Sequence, residues 1–518
     1  MKKLAQQIAG QGVRQVFGIP GSGDSLTLLD ALEHEGVSFV RTHFEGTGAI
    51  MAGAVGRLSG QAGACISIKG PGLANMVPGL AVCRLESLPV VSMSEAYLPE
   101  VPHSKAHKRM DHEGLLTAVA KGRRFCSQNG PGFSEMASWA SEEVPGPVHL
   151  EIADPGVGKE TGVPRTGPSP RDEEGEERIL DLVSRSRRPI LIIGTLGLRM
   201  KGLTDQLARL SVPVFSTAAA KGVMDETLPA AAGVYTGAGG ERVPESILLP
   251  EADLLVGIGL RHNEVLAAGE FPCPSINLDP MDPAGFSGFG FACTHAGAPD
   301  FMERLMDGLV EKSWGMEEVE TCLERLHSSL LSEGFLPARV FRTVEDFFDG
   351  PCRMVLDTGN FCTVGEHVWR VRRPENYLAA GQGRSMGAGL PLALGAAIYD
   401  RTRPTAVFSG DGGIGMFIAD LKLAVAHRLP LLTVLLSDAY MGSLRGRTFS
   451  EGLTEKPMRI ERPSWRRVVE GMEIPAMEVR DEDGLVSALR DWNPSDGPLF
   501  LEAFFEPQAY LEMVKGVR

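Results

Sequence analysis

GDGGIGMFIADLKLAVAHRLPLLTVLLSDAYMGSLR, residues 410–445, is the stretch from which the fold class is read. It follows Pro404–Ser409 (PTAVFS), an apolar run after the polar turn DRTR that reads as a short buried strand. Gly-Asp-Gly-Gly then predicts a turn that glycines follow at least cost. Between Phe417 and Arg428, the apolar residues Phe417, Leu421, Ala424 and Val425 recur at helical spacing. Pro430–Leu436 (PLLTVLL) is a second apolar run, closed by the polar pair Ser437-Asp438. Strand, turn, helix and strand within about 35 residues make a βαβ unit, with parallel strands and a right-handed crossover.

That geometry sets Asp411 and Asp438 just past the carboxyl ends of two strands, at the edge where open α/β sheets bind ligands. Two carboxylates with no Cys or His beside them suit a hard cation such as Mg2+, which keeps positions for substrate phosphates. Where a glycine turn opens a helix, free backbone N–H groups and the helix dipole favour an anion. The stretch therefore predicts a Mg2+–diphosphate site. On the GDG tripeptide alone, a surface turn with two unrelated acids fits equally well.

The whole chain has 518 residues, enough for roughly two to four domains with large cores. A hydrophobic content of 43% and a charged content of 23% are those of an ordinary globular protein. The net charge of −15 argues against nucleic acid or an anionic membrane as the main partner. Eight cysteines are scattered with no CxxC pair, which fits a reducing compartment better than a disulfide framework. The start, MKKLAQQIAGQGVRQVFGIPG, lacks the continuous apolar run of a signal peptide. No stretch of about 18 apolar residues offers a transmembrane helix. A cytoplasmic protein is the expectation.

Residues 1–160 alternate helical and strand patterns. A helix over Leu4–Gly12 precedes a strand led by Gln15–Gly18, which enters the loop Ile19–Asp24. Then come a helix through Leu26–His34, the strand Ser38–Arg41, and His43-Phe44-Glu45-Gly46-Thr47-Gly48, which opens the small-residue helix Ala49–Arg57. The strand Ala64–Ile68 runs into Gly70-Pro71-Gly72-Leu73-Ala74-Asn75, another glycine turn before a helix, and Val90–Met93 and Val148–Ile152 are further strands. Such alternation predicts a doubly wound sheet. By itself, Glu45 reads as a helix-start acid favoured by the dipole.

Residues 160–178, rich in Pro, Gly and charge, read as a linker. A helix at Ile179–Val183, the strand Pro189–Ile193, a further helix, the segment Val212–Ser216, and the strands Ala252–Ile258 and Ser275–Asp279 predict a smaller α/β layer. A long polar helical stretch over about 298–333 crosses to a third unit, which opens at Leu336 with a helix and the strand Met354–Leu356. The expected fold is thus α/β, with three doubly wound parallel-sheet domains at 1–160, 178–333 and 336–518.

Several separated motifs occur in an order that resembles the thiamine-diphosphate (ThDP) enzymes of the acetolactate synthase, benzoylformate decarboxylase and pyruvate oxidase group. They are VFGIPGS, HFEGTGAIMAGAVGR, GPGLAN, GQGRSMGAGLPLALGA and the GDG stretch, and they span essentially the whole chain. The resemblance implies pyrimidine-binding, middle and diphosphate-binding domains. It also implies that Asp411, Asp438 and the backbone carbonyl of Tyr440 ligate Mg2+, with Gly410, Gly412, Gly413 and Met441 along the cofactor. Relatives carry Asn-Asn where this chain has Ser437-Asp438, so the metal site gains a negative charge. Asn360, in DTGN, stands where relatives contact the diphosphate. Met386 would sit under the cofactor and enforce its bent shape, although a plain core methionine is its reading without the motif. Arg384 replaces the usual glycine, its backbone carbonyl still placed to meet the pyrimidine amino group.

In that family, the residue matching Glu45 hydrogen-bonds N1′ of the aminopyrimidine and favours its imino tautomer, which deprotonates C2 of the thiazolium. The resulting ylid attacks a carbonyl and the cofactor acts as electron sink. Gly21 and Asn75 fall in the matching cofactor loops. Ser22 matches a serine that holds a substrate carboxylate in benzoylformate decarboxylase, or is simply a turn former. His107-Lys108 lie where pyruvate decarboxylases carry a His pair, so His107 is either a proton relay or a solvated surface group. His103, His107 and His112 fit no ordinary zinc spacing. Lys69 replaces the usual Ser before GPG, and either binds an acidic substrate or caps a strand end. Ile193-Gly194-Thr195-Leu196-Gly197 is a weak glycine pattern for the FAD that some relatives bind.

The function implied is a Mg2+- and ThDP-dependent decarboxylase or carboligase like acetolactate synthase, acting on a small 2-oxo acid, in a homodimer or homotetramer with active sites between subunits. Leu444 is apolar where acetaldehyde-forming pyruvate decarboxylases have a glutamate, which argues against simple protonation of a small enamine by that route. A benzoylformate-type decarboxylase without ligation is the alternative that Ser22 favours. A ThDP-binding subunit with little turnover is the one that Lys69, Arg384 and Ser437-Asp438 favour.

Overall fold

The computed structural model describes residues 1–97, 101–126, 132–152, 161–162, 173–267, 270–279, 299–332 and 334–517. Three α/β domains follow one another. The first sheet holds β1 (Gln15–Ile19), β2 (Ser38–Arg41), β3 (Gly63–Ser67), β4 (Val90–Glu95), β5 (Gly122–Cys126), β6 (Pro147–Ile152) and β7 (Thr161–Gly162), in the order β2-β1-β3-β4-β6-β5-β7. Six strands are parallel, and the short edge strand β7 pairs antiparallel with β5. The middle sheet is parallel, with β8 (Pro189–Ile193), β9 (Val214–Thr217), β10 (Ala231–Tyr235), β11 (Leu254–Ile258) and β12 (Ser275–Leu278) in the order β10-β9-β8-β11-β12. The last sheet, also parallel, holds β13 (Arg353–Leu356), β14 (Tyr377–Ala379), β15 (Thr405–Gly410), β16 (Leu431–Ser437), β17 (Ala476–Val479) and β18 (Leu499–Phe504), ordered β14-β13-β15-β16-β18-β17.

The first and third sheets share one topology: the second strand lies outside the first, and the sixth sits between the fourth and fifth. In each, strand order reverses at the first strand, and ligand crevices form at such switch points. These sheets are covered on both faces, which is why strands such as β16 (LLTVLLS) are buried along their full length. The helix Gly389–Tyr399 is buried nearly all round because it packs on its own sheet and on the helix Glu45–Ser59 of the first domain. The two helices come so close that a methyl group on Gly395 would lie 2.6 Å from the carbonyl oxygen of Met51. Met51, Ala52, Leu392 and Ala393 belong to a single apolar core that joins the two domains.

Three expectations need correction. Asp411–Phe417 is already helical, followed by a 3-10 turn at Ile418–Leu421 and a second helix at Lys422–Ala426, so the helix begins before Phe417. Gly410 caps it with an extended φ of −109°, so these glycines serve close approach rather than a left-handed turn. The stretch read as a linker contributes β7 and the start of the helix Glu173–Arg185, where three glutamates in the first turn suit the helix dipole; residues 163–172 lie outside the described part. The polar stretch over 298–333 is two helices, Pro299–Val310 and Met316–Leu331, parted at Gly315, whose φ is 78°.

Candidate active site

The register of β15 on β16 pairs Gly410 with Leu436, so the next residues along both strands leave the sheet side by side. Asp411 therefore meets the Ser437-Asp438 turn directly. Its Oδ1 accepts the Ser437 hydroxyl at 2.8 Å, and its Oδ2 accepts the backbone N–H groups of Asp438 (2.9 Å) and Ala439 (2.7 Å). Asp438 Oδ1 accepts from the Tyr440 N–H at 3.0 Å. A methyl group placed on Gly442 would lie 3.6 Å from Asp438 Oδ2 and 3.2 Å from Asn360 Nδ2, so Asn360 reaches the same turn. Asn360 Oδ1 accepts from the Ser443 hydroxyl at 2.7 Å. Both carboxyls are pulled up from their ordinary range. Burial drives Asp438 to about 6, the Asp411 charge adding to it against the Tyr440 N–H and Arg445. Burial also raises Asp411. A pair of buried, neighbouring carboxylates is the donor set a hard divalent cation neutralises.

The floor of this edge is glycine, and larger residues there would crowd their neighbours. A methyl on Gly412 would lie 2.9 Å from the sulfurs of both Met386 and Met441, and one on Gly413 would lie 2.2 Å from Asp357 Oδ2. Asp357 is a residue that sequence reasoning passed over. Buried at the end of β13, it accepts from the N–H groups of Thr358 and Gly387 (both 2.8 Å) and from the Ser409 hydroxyl (2.7 Å). It thereby ties β13, β15 and the Met386 loop together. Burial raises its carboxyl despite those donors. Glu502 Oε1 lies 3.3 Å from the Ser437 hydroxyl, which accepts from Arg462. Burial pushes Glu502 up to about 7 against the Arg462 charge.

The Met386 loop is held from both sides. Glu86, following the helix Pro71–Leu85, accepts from the backbone N–H groups of Gln382 (3.0 Å) and Gly383 (2.6 Å). Arg384 has φ +48°, the left-handed region that costs a residue with a Cβ on the order of 1 kcal/mol. The family's glycine would enter it freely. Its guanidinium turns inward to Glu366 Oε1 and Cys362 Sγ, both at 2.9 Å from Nη1.

In the first domain, Glu45 is the first residue of the helix Glu45–Ser59 and is buried, with Oε2 accepting from Asn75 Nδ2 at 3.2 Å. Asn75 lies on the helix that follows the Gly70–Gly72 turn, and a methyl on Gly72 would come within 3.2 Å of Glu45 Oε1. Gly21 and Ser22 fall in the loop after β1; Gly21 is buried beneath it and Ser22 is exposed. This loop rests on Glu95, which accepts from Ser25 through its N–H (3.1 Å) and hydroxyl (2.7 Å). Glu95 also pairs with Lys69, so Lys69 ties two loops together instead of presenting an unpaired charge. Burial opposes ionisation of Glu95, yet the Lys69 and Ser25 bonds outweigh it and hold its carboxyl low.

His107 is exposed on the loop that passes over Gly70; the carbonyl of its neighbour Lys108 would lie 1.9 Å from a methyl there. The buried histidine is His112, whose Nε2 accepts from the Gly70 N–H at 3.0 Å while Nδ1 meets Glu151 at 3.1 Å. The side chain of His103 lies outside the described residues. His112, His149 and Glu151 are near enough to one another to suggest a metal. Their atoms are already engaged: His149 bonds Ser92 and Ser94, and Arg123 holds Glu151 at 3.0 Å. In the middle domain, the N–H of Thr195, the first position after Gly194, is taken by Glu264 Oε2 at 2.8 Å.

Fold and site define a class: a multidomain α/β protein with paired, buried carboxylates at the edge of its last sheet. Comparison with known proteins narrows it. Residues 1–114 match the family described as "Thiamine pyrophosphate enzyme, N-terminal TPP binding domain", 177–282 its central domain and 357–503 its C-terminal TPP binding domain. The chain is similar to the probable acetolactate synthase large subunit of Methanocaldococcus jannaschii, at 24% identity over 99% of this chain and 92% of that protein. Acetolactate synthase isozyme 2 large subunit of Escherichia coli is 25% identical, covering 96% and 94%. The chloroplastic acetolactate synthase 2 of Zea mays is 25% identical, covering 98% and 85%. The chain belongs to the thiamine pyrophosphate enzymes and is similar to large subunits of acetolactate synthases.

Proposed function

We propose that the chain is a ThDP- and Mg2+-dependent decarboxylase and carboligase of small 2-oxo acids, resembling acetolactate synthase in its reaction. The observation that carries the reading is the meeting of Asp411 with the Ser437–Tyr440 turn above a close-packed glycine floor. When bound, ThDP supplies the electron sink that lets a 2-oxo acid lose CO2. In this reading Asp411, Asp438 and the Tyr440 carbonyl hold Mg2+, while Asn360, Gly410, Gly412 and Gly413 accommodate the diphosphate. The sulfurs of Met386 and Met441 border Gly412. Glu45, kept from solvent and oriented by Asn75, holds a proton for the aminopyrimidine nitrogen of the cofactor. Gly21 and Ser22 border the substrate side, with Ser22 offering a hydroxyl to a carboxylate, and His107 stands at the exposed rim.

A homodimer or a tetramer of dimers completes the reading. Met416, Leu444, Phe449 and Leu453 are 56%, 49%, 65% and 55% exposed around and beyond the cofactor turn, and a second subunit would remove such side chains from water. No helix among the described residues is long and apolar enough to cross a membrane. The test is CO2 release from a panel of 2-oxo acids with ThDP and Mg2+, with and without an acceptor aldehyde. A carboligase yields a coupled hydroxyketone with the acceptor; a simple decarboxylase yields only the aldehyde. Glu45→Gln is expected to retain cofactor and lose activity by roughly 100-fold or more, and an unchanged rate removes Glu45 from the mechanism.

A further inference from the structure

We propose that Arg384 and Glu366 form a positioning pair that sets the conformation of the Met386 loop, and so the seat of the thiazolium end of the cofactor. The inference rests on the ThDP reading above. Residues 382–387 are pinned at one end by Glu86, through the N–H groups of Gln382 and Gly383, and at the other by Asp357, through the N–H of Gly387. Between these anchors, the Arg384 side chain supplies a tether, reaching Glu366 and Cys362. Glu366 is a firm base: its side chain is 1% exposed, and it lies on the helix Asn360–Val368, which begins at the diphosphate edge. The same helix is held from the middle domain, since Lys221 Nζ donates to the Glu366 carbonyl at 2.8 Å. Among the described residues Glu366 Oε2 and Arg384 Nε have no hydrogen-bond partner, so the Nη1–Oε1 contact alone joins the two charges, and losing either side chain strands the other. Arg384 enters the left-handed region with a side chain, φ +48°, where a glycine would enter without strain, and an ion pair to the buried Glu366 holds it there. Met386 is two residues further on, and its sulfur lies against Gly412.

The pair acts on the ring end of the cofactor, whereas the diphosphate end is held by the β15–β16 turns, so the two ends should respond differently to its loss. The experiment is calorimetric titration of the full chain with thiamine diphosphate and, separately, with inorganic diphosphate, both at saturating Mg2+. Arg384→Ala loses the pair but keeps the strained backbone, and is expected to weaken thiamine diphosphate by about tenfold. Arg384→Gly loses the pair and the strain together, and is expected to recover most of that loss. Glu366→Gln should behave as Arg384→Ala does. All three variants should bind inorganic diphosphate within about twofold of the wild type. Equal affinity of Arg384→Ala and wild type for thiamine diphosphate overturns the pair, as does a parallel loss of both probes, which marks a general structural role. Wild-type chain that binds neither probe overturns the proposed function, and the pair with it.

Discussion

The Thr47 hydroxyl donates a 2.5 Å hydrogen bond to Asp420 Oδ2, joining the helix that starts at Glu45 to the 3-10 turn that follows the glycine edge of the last sheet. The other oxygen of Asp420 accepts from the His43 N–H at 2.7 Å and faces the His43 ring at 3.1 Å. Phe44 and Phe417 meet beside them, ring centroids 6.2 Å apart. His43, Phe44 and Thr47, flanking Glu45, are thus fastened to the last domain of their own chain.

Thr47→Val removes one donor and leaves a carboxylate oxygen of Asp420 buried without it. Loss of about 1–3 kcal/mol of stability is expected, read as a lower unfolding transition by calorimetry. Because the same bonds set the start of the Glu45 helix, activity should fall as well. An unchanged transition would mean that Asp420 finds another donor at no cost.

Glu86 carries a pH dependence of known sign. Burial raises its carboxyl from 4.5 to about 7, against the Gln382 and Gly383 N–H bonds and the Arg384 charge. A raised carboxyl binds its proton more tightly when folded. Its contribution is therefore fully present below pH 4.5 and is lost as pH rises through about 7. Against Glu86→Gln, which loses one N–H bond at every pH, the wild type should lose up to roughly 3 kcal/mol of relative stability over that window. Parallel stability curves from pH 4.5 to 8 would place the group elsewhere.

How much of this was readable from sequence differs by element. Strands buried on both faces, such as β8 and β16, are mostly apolar runs with polar or glycine ends and were legible to within a residue or two. From those ends followed the placement of Asp411 and Asp438 on one edge. β14, only Tyr377–Ala379, is too short to show a period, and β17 (AMEV) exposes its two middle residues at the sheet edge. The helix from Asp411 was hidden because glycines signal a break locally, while here they answer to Met386, Met441 and Asp357 from distant segments. The same distance hid the supports of the site. Glu86 and Gly383 are 297 positions apart, and nothing in either segment alone announces the other. Arg384 was visible as a departure from the family, but its partner Glu366 was not.

In the proposed site Asp438 sets a carboxylate, where the resembled family has a neutral amide, beside Asp411 and the proposed diphosphate seat. Two opposing consequences follow from Coulomb's law, each worth on the order of 1 kcal/mol or more at such separations. Asp438→Asn should weaken Mg2+ binding in the absence of cofactor by about tenfold. At saturating Mg2+ it should tighten ThDP, because one fewer negative charge faces the diphosphate. Titrations of the metal and of the cofactor separate the two effects, and a variant that weakens both would show that the charge serves the metal alone.

Gly412 and Gly413 are adjacent, yet their neighbours differ in what they can yield. A methyl on Gly412 meets the sulfurs of Met386 and Met441 at 2.9 Å, the ends of flexible side chains that can rotate away. A methyl on Gly413 meets Asp357 Oδ2 at 2.2 Å and the Gly387 nitrogen at 3.0 Å. Asp357 cannot move without releasing Thr358, Gly387 and Ser409 together. Gly413→Ala is therefore expected to cost about 3 kcal/mol or more in stability and to abolish ThDP binding, while Gly412→Ala costs about 1 kcal/mol and binds ThDP more weakly. Adding Met441→Ala to Gly412→Ala should restore part of the affinity by opening the space the methyl needs. No substitution at 441 should rescue Gly413→Ala, and equal damage from the two alanines would show that the edge tolerates neither for a reason other than contact.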